Sequence, residues 1–102
     1  MPTIGVPQIR VADLDVPQNV ATVRERVARL DSTVDLAVFP EYSLTGFVAD
    51  ERARDSAIRR DGPEVARIED AAAEEDTAIV VGFLEVRSDP GTASETPIYN
   101  AV

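Results

Sequence analysis

The sequence predicts an α/β layered fold whose strands are separated by helices. Short apolar runs typical of strands alternate with two segments in which apolar residues recur every three or four positions. Strands separated by helices indicate crossover connections between layers. Leu, Ile, Val and Phe make up 28 of the 102 residues, more than the roughly 20% below which charged chains tend to stay disordered.

A strand and an amphipathic helix are predicted first. Residues 3–11 read TIGVPQIRV, a strand that Pro7 makes irregular by removing one hydrogen-bond donor. Residues 15–18 predict the start of a helix. Asp15 provides a capping carboxylate, a proline follows in the first turn, and Gln18 occupies the reciprocal capping position. The helix that follows has one apolar face: Val20, Val23, Val27 and Leu30.

A second strand and a second helix follow. Residues 35–39 read DLAVF, a nearly continuous apolar run typical of a strand buried on both faces. A mixed stretch comes next, with a polar piece of helical character over residues 51–60. Asp61 and the Gly-Pro after it predict the cap and start of a helix that ends near Asp76. Its inward positions are Val65, Ile68 and Ala72.

Two further strands complete the order β-α-β-α-β-β. Residues 78–86 read AIVVGFLEV and predict a third strand, residues 88–96 a loop, and residues 97–102 the beginning of a fourth strand. Val102 falls inside this strand pattern, with no turn or polar tail after it. We therefore expect the chain to be truncated within a strand, as the front part of a longer protein; the alternative is a short edge strand at a natural terminus.

The charge balance bears on partners and location. With 19 acidic and 10 basic residues the net charge is −9, which argues against binding to nucleic acid or to anionic membrane surfaces. No apolar run approaches the length of about 18–20 residues that spans a bilayer, and no basic-then-apolar signal pattern is present. We predict a cytoplasmic protein with no membrane partner.

Three residue types with frequent catalytic uses, Cys, His and Lys, are absent. Their absence excludes a disulfide, a thiol nucleophile and imidazole chemistry within these residues. The glycines do not fall in the pattern of a phosphate-binding loop. Asp13 with Asp15, and the acidic residues 74–76, offer oxygen ligands for Mg²⁺ or Ca²⁺, but such clusters in an acidic chain are usually solvated. No cofactor and no metal are expected.

The strongest candidate for chemistry lies in residues 38–47, VFPEYSLTGF. Glu41 comes two residues after the buried strand, and ligands of open α/β sheets bind beyond the carboxyl ends of strands. Pro40 restricts the backbone just before this carboxylate, so Glu41 is a candidate general base. The alternative is a solvated Glu that opens a surface turn or caps a helix, and the geometry alone leaves both open.

This segment resembles the nitrilase superfamily of carbon–nitrogen hydrolases, particularly its amidase-like branches. Other residues fall in the order that the family shows: Gln8, Asn19, Gly62-Pro63, Val81-Gly82-Phe83 with Glu85, and Tyr99-Asn100-Ala101. The resemblance covers essentially all 102 residues but only the front portion of the family's domain. It implies an α-β-β-α sandwich of the nitrilase type, of which this chain is the N-terminal part.

The resemblance also implies a Glu-Lys-Cys mechanism acting on a small-molecule amide or nitrile. The Cys thiolate attacks the substrate carbon, the Glu is the general base and the Lys stabilises the developing charge. Onto this sequence it carries Glu41 as the base and Tyr42 as a pocket residue, for which ordinary aromatic packing is the alternative. The Lys and Cys are expected beyond Val102, and a homo-oligomer is expected of the full-length protein.

Two other functions are compatible with the sequence. Because two of the three catalytic groups are missing from residues 1–102, the chain alone is not expected to hydrolyse amides. It could be a truncated or degenerate relative that acts as an interaction or regulatory piece. A third possibility is an unrelated small α/β binding module, which tight binding of a phosphate ligand would favour.

The composition predicts a halophilic protein whose folding requires salt. Acidic residues are abundant, every basic residue is Arg, and Ala and Val dominate the apolar residues. Dense carboxylates repel one another in dilute buffer, and at about 1 M salt the screening length falls to about 3 Å. We expect the helical circular dichroism signal to grow as KCl is added. A fold complete in dilute buffer and indifferent to KCl would instead indicate an ordinary acidic domain encoded by GC-rich DNA.

Overall fold

The computed structural model describes residues 2–46, 52, 56–86 and 98–102, with only the backbone described at 98–100. Among these residues, strands and helices alternate as far as the third strand, and two more strands follow. The elements are β1 Ile4–Gly5, α1 Val16–Ala28, β2 Leu36–Val38, α2 Pro63–Glu75, β3 Ala78–Val80, β4 Phe83–Val86 and β5 Ile98–Ala101. The predicted α/β class is confirmed. Of the helical piece expected over residues 51–60, residues 51 and 53–55 lie outside the described residues. The expected helix does not extend to residue 60, because Ile58 pairs with Glu85 in an isolated β-bridge. The loop predicted over 88–96 lies wholly outside the described residues.

The described strands form two sheets. In the first, β2 lies between β1 and β3 and is parallel to both, so that Ala37 faces Gly5 on one side and Ile79 on the other. In the second, β4 and β5 are antiparallel, with Leu84 opposite Asn100. Parallel neighbours need a crossover, and α1 and α2 are the crossovers from β1 to β2 and from β2 to β3.

Two strand predictions differ from the structure. The single strand predicted over 78–86 is wrong, because β3 and β4 belong to different sheets and are separated by Val81 and Gly82. Gly82 instead hydrogen-bonds to a turn that follows β2. The first strand covers only two of the residues predicted for it, and Pro7, which has no N–H to donate, lies just beyond its end.

Helix α1 follows its sequence signals closely. The carboxylate of Asp15 accepts a hydrogen bond from the Gln18 N–H at 3.2 Å, and a proline occupies the first turn. The predicted inward face is confirmed, since Val20, Val23 and Val27 are buried and Leu30 is partly buried. Local capping and the spacing of the valines together account for this helix.

Helix α2 begins differently from the prediction. Its N-cap is Gly62, with no side-chain cap, and the predicted cap Asp61 lies one residue too early. Asp61 pairs with Arg59 instead, at 3.0 Å, and the hydrogen bonds and positive charge of Arg59 lower the pKa of Asp61. The helix ends as predicted, with Asp76 in the left-handed conformation at φ 50°.

The core lies between the two helices and the sheets. Helix α1 packs against α2, and the valine face of α1 meets residues from β2, β4 and the segments that join them. The buried apolar residues of this cluster are Val16, Val20, Val23, Val27, Ala37, Phe39, Leu44, Ile58, Ile68 and Phe83. Among the described residues, no helix is both long enough and apolar enough to cross a membrane.

A buried carboxylate fastens the segment before α2 to β4. Glu85 is 2% exposed and accepts a hydrogen bond from Arg60 Nε at 2.8 Å. The same guanidinium lies 5.9 Å from the ring centre of Phe83 and donates to the Val102 carbonyl at 3.4 Å. Ile58 exchanges backbone hydrogen bonds with β4 at 2.8 and 2.9 Å. Arg60 therefore links three parts of the chain.

Replacing Arg60 tests this link. Arg60→Ala should lower the free energy of unfolding by about 1–2 kcal/mol, because the buried carboxylate loses this donor while the half-exposed guanidinium is partly screened by water. The free energy of unfolding of Arg60→Lys should lie between those of Arg60→Ala and the unmodified chain. Arg59→Ala, which removes only the exposed pair with Asp61, is the matched control. Equal denaturation midpoints for Arg60→Ala and Arg59→Ala would contradict the assigned contribution.

Candidate active site

The chain turns sharply where β2 ends. The Phe39 N–H donates to the Val80 carbonyl at 2.9 Å and its ring is buried, whereas Pro40 and Glu41 are exposed. The candidate base therefore lies just beyond the carboxyl end of the central strand of the parallel sheet. Residues 41–46, named here the Glu41 turn, carry the chain back towards α1.

The backbone of the Glu41 turn is constrained at both ends. Tyr42 has φ 58° and Gly46 has φ 70°, and a left-handed conformation costs a non-glycine residue about 1–2 kcal/mol. The Tyr42 carbonyl accepts hydrogen bonds from Thr45 N at 3.3 Å and Gly46 N at 2.8 Å. At Gly46 any side chain would collide with Asp13, whose Cα would lie 2.7 Å from an added Cβ.

Two buried hydroxyls attach one side of the turn to Gly82, between β3 and β4, and to Leu84 in β4. The Gly82 N–H donates to Ser43 Oγ at 3.2 Å, and the Leu84 N–H donates to Thr45 Oγ1 at 3.1 Å. The Leu44 N–H donates to the Gly82 carbonyl at 3.0 Å. Since both hydroxyls are buried and hold backbone groups, they have a structural use here that does not involve nucleophilic attack.

Asn19 holds the other side of the turn. Its Nδ2 donates to the carbonyls of Leu44 at 3.1 Å and Ala12 at 2.8 Å, and its Oδ1 accepts from the Ala12 N–H at 2.8 Å. The Leu14 N–H adds a bond to the Thr45 carbonyl at 3.1 Å. The amide is 1% exposed, so its bonds form away from competing water. The Glu41 turn is thus bonded on two sides.

Glu41 borders an open cleft of about 300 Å³. The other described residues that line it are Gly82, Ala101 and Val102, so the cleft lies between the turn and the end of β5. Tyr42 is half-buried and is not among these lining residues. A larger cleft of about 410 Å³ lies between α2 and the strands and is mainly apolar.

Sequence reasoning located Glu41 but not the groups that hold its turn. Ser43 and Thr45 are small hydroxyl residues in a loop, and nothing in their pattern indicates burial. Asn19 and Gly82 entered only as parts of a resemblance. The acidic residues considered as metal ligands do not gather, because no group of three His, Cys, Asp or Glu side chains suited to a metal ion occurs within the described ranges.

Comparison with known proteins assigns the family. The sequence profile of the carbon-nitrogen hydrolase family matches residues 3–102. The chain belongs to the carbon-nitrogen hydrolase family. The predicted resemblance to the nitrilase superfamily is therefore confirmed, and both Glu41 and Tyr42 lie within the matched part.

Individual relatives agree with this assignment. An (R)-stereoselective amidase from a Pseudomonas species is 31% identical over 83 residues, which cover 81% of this chain and 30% of the amidase. A solved CN-hydrolase superfamily protein from Xanthomonas campestris, with an arsenic adduct in its active site, superposes with a TM-score of 0.75 at 28% identity. That match covers 95% of this chain and 33% of the other. The chain thus spans about a third of the length of these relatives.

Thr45 variants test the hydroxyl attachment of the turn. Thr45→Val keeps the shape but leaves the buried Leu84 N–H without its acceptor, which should lower the free energy of unfolding by about 1–3 kcal/mol. Thr45→Ser keeps the hydroxyl and loses one methyl group, worth about 0.8 kcal/mol. Chemical denaturation of both variants makes the comparison. A valine variant at least as stable as the serine variant would show that packing, and not the hydrogen bond, holds the turn.

Proposed function

We propose that the chain is the N-terminal part of a hydrolase that cleaves a non-peptide carbon–nitrogen bond, in an amide or nitrile, with Glu41 as general base. The observation that carries this proposal is a carboxylate placed over an open cleft by a turn that is bonded on two sides. Family membership and the amidase relative support the reaction type.

The proposed reaction needs two groups besides Glu41. Glu41 accepts the proton of a Cys thiol, the thiolate attacks the amide or nitrile carbon, and a Lys stabilises the negative charge that develops on the substrate. Glu41 then gives this proton to the amide nitrogen, the C–N bond breaks, and ammonia or an amine leaves a thioester behind. Glu41, again a carboxylate, takes a proton from water as the water oxygen attacks the thioester, and returns it to the departing sulfur, which frees the acid and the thiol. Neither Cys nor Lys occurs in residues 1–102, so both are proposed to follow Val102.

The local geometry suits a base that works twice in one cycle. A general base has to lie within hydrogen-bond reach of the proton it removes, and a fixed backbone restricts where the carboxylate can go. Pro40 before it and the bonds of the turn after it provide that restriction. Tyr42, half-buried beside Glu41, is proposed as a pocket residue that contacts the substrate.

The remaining parts of the proposal concern the whole protein. We propose a small-molecule amide or nitrile as substrate, with no metal or organic cofactor, and a homo-oligomer as the functional form. The acidic composition supports a halophilic, cytoplasmic protein that does not bind nucleic acid or membranes.

The first test reads the gene beyond codon 102 and then assays the complete enzyme. We expect an open frame that encodes a Lys and then a Cys. In that enzyme Glu41→Gln should lower kcat for amide hydrolysis by about 100-fold or more, as loss of a general base does, with an unchanged circular dichroism spectrum. Glu74→Gln, which removes an exposed carboxylate near the end of α2, is the matched control and should retain normal kcat.

Two results would contradict the proposal. Near-normal kcat in Glu41→Gln would remove Glu41 from the mechanism. A stop codon directly after Val102 would leave one catalytic group of three, and would favour the alternative of a non-catalytic interaction or regulatory piece. Size-exclusion chromatography would then test that alternative, because a chain that remains monomeric and alone contradicts a partner role.

A further inference from the structure

We propose that Gly82 is a positioning residue for Glu41, acting by having no side chain. This inference rests on the proposed function of Glu41 and adds a second residue to the same site. Gly82 lies between β3 and β4, against the backbone of the Glu41 turn, and lines the same cleft as the carboxylate. It makes no contact with substrate in this proposal and acts through the backbone of the turn.

The approach of the turn to Gly82 leaves no room for a Cβ atom. A Cβ added at residue 82 would lie 2.7 Å from the Tyr42 nitrogen and 3.1 Å from Glu41 Cα. The first distance is shorter than real Cβ contacts show. Both contacted atoms belong to the main chain, so no side-chain rotation can relieve the overlap. An alanine at position 82 therefore has to displace residues 41 and 42 or itself.

The conformation of Gly82 does not explain why this position is a glycine. Among the described glycines only Gly46 has a positive φ, so residue 82 is not in the left-handed region that favours glycine. What requires a glycine is the closeness of the Glu41 turn. This separates the effect of a substitution at Gly82 from simple backbone strain at the substituted residue.

The turn cannot move away from residue 82 without breaking other bonds. On its far side the Leu44 carbonyl is held by Asn19, and the Thr45 carbonyl by the Leu14 N–H. On its near side the Leu44 N–H and Ser43 Oγ are bonded to Gly82 itself. The overlap itself falls on the Tyr42 nitrogen and on Glu41 Cα, so the displacement begins at these two residues.

A shift of Glu41 affects the reaction more than substrate binding. Misplacing a catalytic group by about 1 Å can cost about 100-fold in rate. In the complete enzyme, Gly82→Ala should therefore lower kcat for amide hydrolysis by about 10-fold or more, while KM changes by less than about 3-fold. A merely structural role would lower the amount of folded enzyme and leave kcat per folded molecule unchanged.

Gly5→Ala is the matched control. It makes the same substitution in β1, where the three atoms nearest to an added Cβ are side-chain carbons of Val34 and Leu30, the closest at 3.3 Å. We expect normal kcat from it. Crystal structures of both variants give a readout independent of activity, with Glu41 Cα displaced in Gly82→Ala and unmoved in Gly5→Ala. If Gly82→Ala does not fold, Ser43→Ala loosens the same contact without added bulk and should lower kcat with little change in KM.

The outcomes separate this inference from the proposed function. Suppose that Glu41→Gln loses most of its kcat while folded Gly82→Ala keeps a normal kcat. This result overturns the role of Gly82 and leaves Glu41 as the base. The same conclusion follows from a normal kcat in Ser43→Ala, where that variant replaces Gly82→Ala. Normal kcat in Glu41→Gln overturns the proposed function. The claim that Gly82 positions Glu41 is then tested by the crystal structure of Gly82→Ala alone. Glu41 Cα unmoved in Gly82→Ala overturns that claim, and a displaced Cα supports it.

Discussion

The hydrogen bonds between the Glu41 turn and the chain at Gly82 tie together elements that lie far apart in the sequence. Residue 82 lies where one sheet ends and the other begins, and the turn leaves the centre of the first sheet. By bonding to Gly82 and Leu84 on one side and to Asn19 on the other, the turn connects both sheets to α1. The proposed base is thereby carried on a segment that has several hydrogen bonds to residues distant in sequence.

The Glu41 turn has a buried face and an exposed face, and both carry polar side chains. Ser43 and Thr45 are buried, yet no buried side-chain nitrogen or oxygen in the described part of the chain lacks a hydrogen-bond partner. A polar group in the interior is costly only when it is left unpaired. These hydroxyls accept hydrogen bonds from backbone N–H groups that would otherwise need a carbonyl acceptor on a neighbouring strand. Glu41 remains on the exposed face, at the cleft. The same few residues thus combine rigidity inside with an accessible carboxylate outside.

Local patterns predicted the parts of the structure that local interactions determine. The spacing of the valines and the Asp15 cap were sufficient for α1, and the apolar run that ends at Pro40 located Glu41 at the end of a strand. The break between β3 and β4 did not follow from the mainly apolar pattern of residues 78–86, because it results from bonds to Ser43 and Thr45, 39 positions earlier. Likewise, nothing near Glu85 in sequence indicates that a guanidinium 25 residues away makes its burial possible.

The distance along the chain between the turn and its partners has a consequence for biosynthesis. Closing a loop of this size costs entropy before any contact is gained, and contacts between distant residues slow folding. As the ribosome releases the protein from its N-terminus, α1 and its cap can form from neighbouring residues alone. The Glu41 turn must wait for Gly82 and Leu84 to emerge, so the carboxylate reaches its place only after the second helix has been made.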